Sequence, residues 1–164
     1  MGERTITRQL AVVRHGQAQP APPGGADIQR ALTTTGEQEA RAAGQRLASM
    51  WGTLDLVLHS PAVRTTQTWQ TLATELPELP AEQVWPTRDV YEATVPDLLA
   101  ALGDVPEECQ RVLLVGHAPG IPALVGHLTG GYPQGWSTGQ VGVIDLPAGL
   151  PWADLYEGCG TRIG

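Results

Sequence analysis

LAVVRHG, residues 10–16, is a short apolar run followed by an arginine, a histidine and a glycine. The apolar run contains β-branched residues and fits a strand buried on both faces of a sheet. Open α/β sheets bind ligands at the carboxyl ends of their strands, where this run reaches Arg14, His15 and Gly16. Arginine can clamp an anion, histidine can act as nucleophile, base or metal ligand, and glycine allows close backbone approach. This strand end is therefore the first candidate site.

Composition narrows the possible fold and partners. The chain has 164 residues, 41% of them hydrophobic, and a net charge of -7. We expect one domain over residues 1–164, and neither nucleic acid nor an anionic membrane as a partner. The first ten residues lack the apolar core of a signal peptide and no apolar run could span a bilayer, so we expect a cytoplasmic protein. Two cysteines without paired spacing are expected as free thiols.

Hydrophobic periodicity predicts strands and helices that alternate along the chain. Strands are expected over residues 10–13, 54–58, 83–85, 111–115 and 141–146, with a possible edge strand over 152–156. Helices are expected between Thr33 or Thr35 and Gly52, over residues 60–75 and 94–102, and after Gly120 as far as Leu128. This order indicates an α/β three-layer sandwich, in which helices cover both faces of a central, mostly parallel sheet.

Two predicted helix starts carry capping signals. Ser60 followed by Pro61 is typical of an N-cap with proline at the first helical position. Thr94 and Asp97 match a capping box. Arg64 lies in the first turns of its helix, where a positive charge is unfavourable unless an anion binds at that end. The position of Arg64 therefore favours an anion site.

Polar side chains follow three of the predicted strands. The three strand ends read Arg14-His15-Gly16, Ser60-Pro61-x-x-Arg64 and Gly116-His117. If the strands are parallel, these ends share one edge of the sheet and face one crevice. Two arginines can bind phosphoryl oxygens, one histidine can attack phosphorus, and the other can stabilise the transition state. Glu92 is the expected proton donor.

Some of these residues also have simpler interpretations. For Ser60, a helix N-cap is the favoured interpretation and a phosphate contact is the second one. His59 is expected near the site without a chemical role. His127 is expected to pack or face solvent within its helix. A metal site at His15 and His117 is the rival hypothesis, but no third ligand has metal-binding spacing and the arginines would repel a cation. No metal or cofactor is therefore expected.

Five segments resemble the ordered motifs of the histidine phosphatase superfamily, also called phosphoglycerate-mutase-like. They are VVRHGQA, LTTTGEQEA, HSPAVRTTQT, YEA and LLVGHAPGI, within residues 10–121. By this resemblance His15 matches the phosphorylated nucleophile, and His117 matches the second histidine. The expected phosphate-binding set is Arg14, Gly16, Ser60, Arg64 and His117. The short chain and its compact YEAT segment are similar to the small phosphohistidine-phosphatase branch, which acts on histidines of signalling proteins.

The chain departs from the family pattern at two places. The family commonly has Ser-Ser-Pro where this chain has His59-Ser60-Pro61, and an acidic residue is frequent where Gln17 stands. Branches with a large substrate cap carry a long insertion between the second and third strands. That stretch is short here, which implies an open pocket.

The resemblance implies a metal-independent phosphatase that works through phosphorylated His15 on phosphohistidine proteins. A small-molecule phosphomonoesterase with the same chemistry is the alternative. A catalytically idle phosphate-binding module is an alternative of another class, and the intact His15 and His117 argue against it. In each case the expected partner is a phosphorylated molecule.

Overall fold

Six strands form one mixed sheet in the computed structural model, which describes residues 8–164. Residues 1–7 lie outside the described residues. They make up most of the N-terminal segment in which the sequence analysis expects no signal peptide. The strands are β1 (Arg8–Arg14), β2 (Leu56–His59), β3 (Val84–Pro86), β4 (Arg111–Gly116), β5 (Val141–Leu146) and β6 (Thr161–Arg162). Their order across the sheet is β3-β2-β4-β1-β5-β6, and the first four strands are parallel. β5 and β6 are antiparallel additions, so the predicted mostly parallel sheet is confirmed.

Four α-helices cover the two faces of this sheet. They are α1 (Thr34–Met50), α2 (Val63–Ala73), α3 (Val95–Gly103) and α4 (Gly120–Thr129). α1 and α2 pack on one face, against Ala11 and Val13 of β1. α3 and α4 pack on the other face, against Leu10 and Val12. Successive strand residues point to opposite faces, and the uninterrupted apolar run of β1 therefore supports both layers. The three-layer α/β prediction is confirmed.

The helices of residues 8–164 are too short or too polar to cross a membrane. The sulfur atoms of Cys109 and Cys159 are both free, as the sequence predicted.

The helix starts agree with the sequence in two cases and differ in a third. Thr33 caps α1 by accepting from the Gly36 N–H, and the predicted capping box precedes α3. The prediction that Ser60 is an N-cap was wrong, because α2 begins at Val63. The Ser60 hydroxyl accepts from the Ala62 N–H at 3.2 Å in the turn before the helix. The Ser-Pro signal marks this turn, and the helix starts only after it.

The edge strand predicted over residues 152–156 was also wrong. Trp152 begins a short 3₁₀ helix, its side chain is fully buried, and its indole N–H donates to the Cys109 carbonyl at 2.9 Å. Burying this large ring and satisfying its N–H turns the segment towards the core. The edge strand is β6 instead, which pairs with β5.

Candidate active site

The parallel strands bring their carboxyl ends to one edge of the sheet, where a cavity of about 670 Å³ opens. Five of the residues singled out from the sequence line this cavity: Arg14, His15, Arg64, Glu92 and His117. β1 and β4 are neighbours in register, with Arg14 opposite Gly116, so the residues that follow them lie side by side. The crevice expected from the strand-end pattern is therefore present in the structure.

His15 is a buried histidine with one defined hydrogen bond. Its Nδ1 lies 2.6 Å from the Gly16 carbonyl oxygen. A carbonyl only accepts, so Nδ1 carries the proton, and the neutral ring then has its lone pair on Nε2. Burial lowers the pKa of His15 from 6.5 to about 4, and the Arg64 and Arg14 guanidinium groups add to this effect. The ring is thus held neutral with Nε2 as its basic atom.

His117 packs beside His15 in the same cavity. The two ring centroids are 5.3 Å apart, and the Tyr91 ring meets His117 edge-on at 5.5 Å. Burial and, to a smaller extent, the positive charge of Arg64 together lower the pKa of His117 to about 3. Within the described residues its Nε2 is buried without a hydrogen-bond partner. Such an atom is costly to leave unpaired, which favours a polar ligand beside it.

The two arginines are anchored by other parts of the chain. Arg14 Nη1 donates to the Trp136 carbonyl at 2.7 Å. Arg64 donates through Nη1 to the Asp27 carbonyl at 2.9 Å and through Nη2 to the Asp27 carboxylate at 3.0 Å. Among residues 8–164, the Nε atoms of both arginines are buried and unpartnered. The guanidinium groups are therefore oriented, and each keeps a donor for an anion.

Asp27 is a site residue that the sequence reasoning missed. Its carboxylate accepts from Arg64, from the Tyr91 hydroxyl at 2.7 Å and from Arg30 at 3.3 Å. The Tyr91 hydrogen bond and then the Arg64 contacts hold the pKa of Asp27 at about 2. The sequence does contain a signal that could have indicated Asp27. Asp27 and Arg30 are the only charged residues of the Pro/Gly-rich loop over residues 17–31.

Two members of the expected phosphate-binding set lie behind the cavity wall. Ser60 is fully buried, and neither it nor Gly16 lines the cavity. A Cβ at Gly16 would collide with the Gly36 carbonyl, and one at Gly36 would collide with the Gln17 carbonyl. The loop after β1 thus crosses the start of α1 backbone to backbone, and this close packing explains both glycines. The expected contacts of Gly16 and Ser60 with phosphate stay predictions.

The other two histidines also lie off the cavity. His59 is 4% exposed and its Nδ1 lies 2.8 Å from the Ser60 carbonyl, while burial lowers its pKa. His127 is half-buried within α4. Neither of them lines the cavity, in line with the non-chemical positions expected for both.

An exposed carboxylate and several apolar side chains also line the cavity. Glu92 has a backbone φ of 50°, in the left-handed region that costs a non-glycine residue about 1 kcal/mol or more. The wall contains Val95 and Leu98 of α3, with Pro119 and Ala123 at the start of α4. The cavity can thus hold an anion at its cationic end and an apolar group beside it.

Because His15 and His117 are buried, we expect the stability of the fold to depend on pH. The unfolded chain binds protons at His15 and His117 below about pH 6.5, while the folded protein does so only below about 4 and 3. The free energy of unfolding should therefore fall as pH drops from 6.5 towards 4, by about 2 kcal/mol or more. Urea unfolding across this range measures it. His15→Asn should have a shallower pH slope, and an unchanged slope would contradict the assignment of the shift to His15.

One known family and several solved structures resemble this chain. Residues 10–89 match the family described as histidine phosphatase superfamily (branch 1). No curated protein matches the chain significantly. A candidate phosphohistidine phosphatase SixA from Nakamurella multipartitia is 30% identical, with a TM-score of 0.82, and the match covers 96% of this chain and 94% of that one.

Two further solved structures agree with this match. The protein histidine phosphatase SixA complexed with tungstate is 26% identical, with a TM-score of 0.79 and coverage of 95% and 94%. A candidate SixA from Agrobacterium tumefaciens is 28% identical, with a TM-score of 0.76 and coverage of 85% and 92%. These structures confirm the resemblance to the small phosphohistidine-phosphatase branch. On the combined evidence of motifs, fold and relatives, this chain is a phosphatase and belongs to branch 1 of the histidine phosphatase superfamily.

Proposed function

We propose that this phosphatase removes phosphoryl groups from phosphohistidine in proteins, by transferring them first to its own His15. The observation that carries the proposal is the meeting of unpartnered buried nitrogens at one cavity. Among the described residues these are Nε of Arg14, Nε of Arg64 and Nε2 of His117. Three such atoms beside a neutral histidine suit a tetrahedral anion held in front of a nucleophile.

His15 acts as the nucleophile in this mechanism. Its Nε2 lone pair forms a bond to phosphorus while the bond from phosphorus to the substrate imidazole breaks. The bond between Nδ1 and the Gly16 carbonyl fixes the ring and stabilises the positive charge that the ring gains. Water then attacks the phosphohistidine, releases inorganic phosphate and restores neutral His15.

Arg14, Arg64 and His117 hold the transferred group. The guanidinium groups bind its oxygens and offset the charge that spreads over them in the transition state. His117 donates a hydrogen bond from Nε2 to an oxygen of the phosphoryl group. Nε2 carries the necessary proton either in the neutral Nε2–H tautomer or in the doubly protonated ring. An anion at this position raises the pKa values of both histidines, because its negative charge favours their protonated forms.

Glu92 supplies the proton that the leaving group needs. Its carboxyl group lines the cavity and is exposed to solvent. Asp27 is the other carboxyl on the cavity wall, but its hydrogen bonds from Tyr91 and Arg64 hold its pKa at about 2. Because the Asp27 carboxylate is already bound by Arg64 and Tyr91, Glu92 is the better-placed donor.

Substrate size and chemistry support a protein-borne phosphohistidine. The connection from α2 to β3 is short, at residues 74–83, and the cavity opens to the surface. An imidazole leaving group can pack against the apolar wall next to the cationic end. The three SixA structures named above are of proteins described as, or as candidates for, histidine phosphatases.

A comparison of initial rates tests this proposal. We expect kcat/KM to be at least about 100-fold higher on a phosphohistidine-bearing phosphotransfer protein than on p-nitrophenyl phosphate or sugar phosphates. His15→Asn is the matched control, since its turnover must be lost on every substrate. A small phosphoester hydrolysed as fast as the phosphoprotein would contradict the proposed substrate and favour a metabolic phosphomonoesterase.

A further inference from the structure

A hydrogen bond joins two segments that both contribute residues to the cavity lining. Asp27 belongs to the loop after β1, and Tyr91 belongs to the segment between β3 and α3. The Tyr91 hydroxyl donates to Asp27 Oδ2 at 2.7 Å across a sequence separation of 64 residues. Hydrogen bonds to a charged acceptor are stronger than neutral ones, so this contact can fix the two segments to one another.

The Asp27 end of this contact determines how Arg64 is oriented. The Arg64 side chain is 6% exposed, and its ion pair with Asp27 measures 3.0 Å. The Asp27 carbonyl accepts from the other terminal nitrogen, Nη1, at 2.9 Å. With both terminal nitrogens held by one residue, the plane of the guanidinium group is fixed. The buried Nε, which has no partner among the described residues, then points in a fixed direction.

The Tyr91 end of the contact faces the second histidine. The Tyr91 and His117 ring centroids are 5.5 Å apart with an interplanar angle of 79°, an edge-on packing. Aromatic rings in this geometry attract and restrict one another. The hydroxyl bond to Asp27 thus limits the rotation of Tyr91, and Tyr91 limits the rotation of His117.

We propose that Asp27 and Tyr91 form a clasp that positions Arg64 and His117 for phosphoryl binding. The clasp is these two side chains and the hydrogen bond between them. The inference rests on the proposed function, which takes Arg64 and His117 as groups that bind the phosphoryl oxygens. Asp27 and Tyr91 are positioning residues here, because each acts through a neighbour.

The direction in which phosphate affinity changes in an Asp27 variant distinguishes a positioning role from a simple effect of charge. Asp27 is a negative charge beside an anion site, so removing that charge alone should tighten phosphate binding. The loss of the Arg64 orientation should weaken it. A weaker affinity for phosphate in Asp27→Asn would therefore report positioning, since the charge change acts in the opposite direction.

Calorimetric titration with inorganic phosphate measures this without any turnover. We expect Tyr91→Phe, which keeps the ring and loses the hydroxyl, to weaken phosphate binding about tenfold, and Asp27→Asn to weaken it as much or more. The double variant should bind about as weakly as Asp27→Asn alone, because both changes break the same contact. KM should rise in parallel, with a smaller change in kcat. Tyr156→Phe and Asp154→Asn, the same chemical changes at exposed positions, should bind phosphate like the wild-type protein.

Two results would overturn the clasp. One is phosphate affinity within about twofold of wild type in both single variants, even if their thermal midpoints fall, because the contact would then be structural alone. The other is tighter binding in Asp27→Asn, which would make Asp27 an internal competitor for Arg64. If the wild-type protein binds phosphate but does not prefer phosphohistidine, the proposed substrate is contradicted. The clasp is then still judged by the phosphate affinities of the Asp27 and Tyr91 variants.

Discussion

Replacing His15 with asparagine is expected to lower kcat by about 10⁴-fold or more, with the fold intact. The asparagine amide can still donate to the Gly16 carbonyl, as Nδ1 of His15 does, but it has no lone pair in place of Nε2. The variant thus removes the nucleophile and keeps the local hydrogen bond. Steady-state turnover of the phosphoprotein and of p-nitrophenyl phosphate measures the loss.

Trapping of the phosphoenzyme provides the second measurement for His15. Wild-type protein quenched during turnover should carry an acid-labile phosphoryl group, and His15→Asn should carry none. His127→Gln is the matched control, because this half-buried histidine of α4 is not among the residues that line the cavity. Turnover or labelling retained in His15→Asn would exclude His15 as the phosphorylated nucleophile.

Replacing Arg64 with lysine is expected to lower kcat/KM by about 10²- to 10³-fold. The planar guanidinium group binds Asp27 through two nitrogens and, among the described residues, leaves its Nε without a partner. A lysine keeps the positive charge, but its single ammonium group cannot reproduce these separated contacts. The loss would therefore measure the geometry of the cation and not its charge. Kinetics on the phosphoprotein and the affinity for inorganic phosphate check this expectation.

Arg41→Lys is the control for this substitution. Arg41 forms an exposed ion pair with Glu75 at 3.6 Å on the face of the sheet that α1 and α2 cover. Exposed pairs contribute little, so kcat/KM should remain within about twofold of the wild-type value. An Arg64→Lys protein as active as Arg41→Lys would contradict a bidentate role for Arg64.

The chemistry at the strand ends was predictable because it follows from local sequence and one rule of sheet geometry. Apolar runs that stop at Arg14 and His15, and again at Gly116 and His117, mark buried strands with functional ends. Parallel pairing then brings these ends together, and the structure has them on one cavity. The fold class followed from the same alternation of strand and helix.

The rest of the site depended on contacts that no local pattern encodes. Asp27 lies in a 3₁₀ turn and Tyr91 follows another, so neither has a periodicity that would mark it. Their partnership with Arg64 appears only when three distant segments meet. The predictions for Ser60 and Trp152 were wrong for different reasons. The Ser60 hydroxyl accepts within the turn before α2 and not at a helix start, whereas the buried Trp152 indole is satisfied by a tertiary contact.

The place of β1 within the sheet has a consequence for the synthesis of this protein. β1, which leads into His15, is made before both of its neighbours in the sheet, β4 and β5. Gln9 pairs with Arg111 on one side and with Asp145 on the other, so both partners are made roughly a hundred residues later. During synthesis β1 therefore stays without its sheet partners until β4 and β5 have been made. Phosphatase activity should arise only after β5 has left the ribosome.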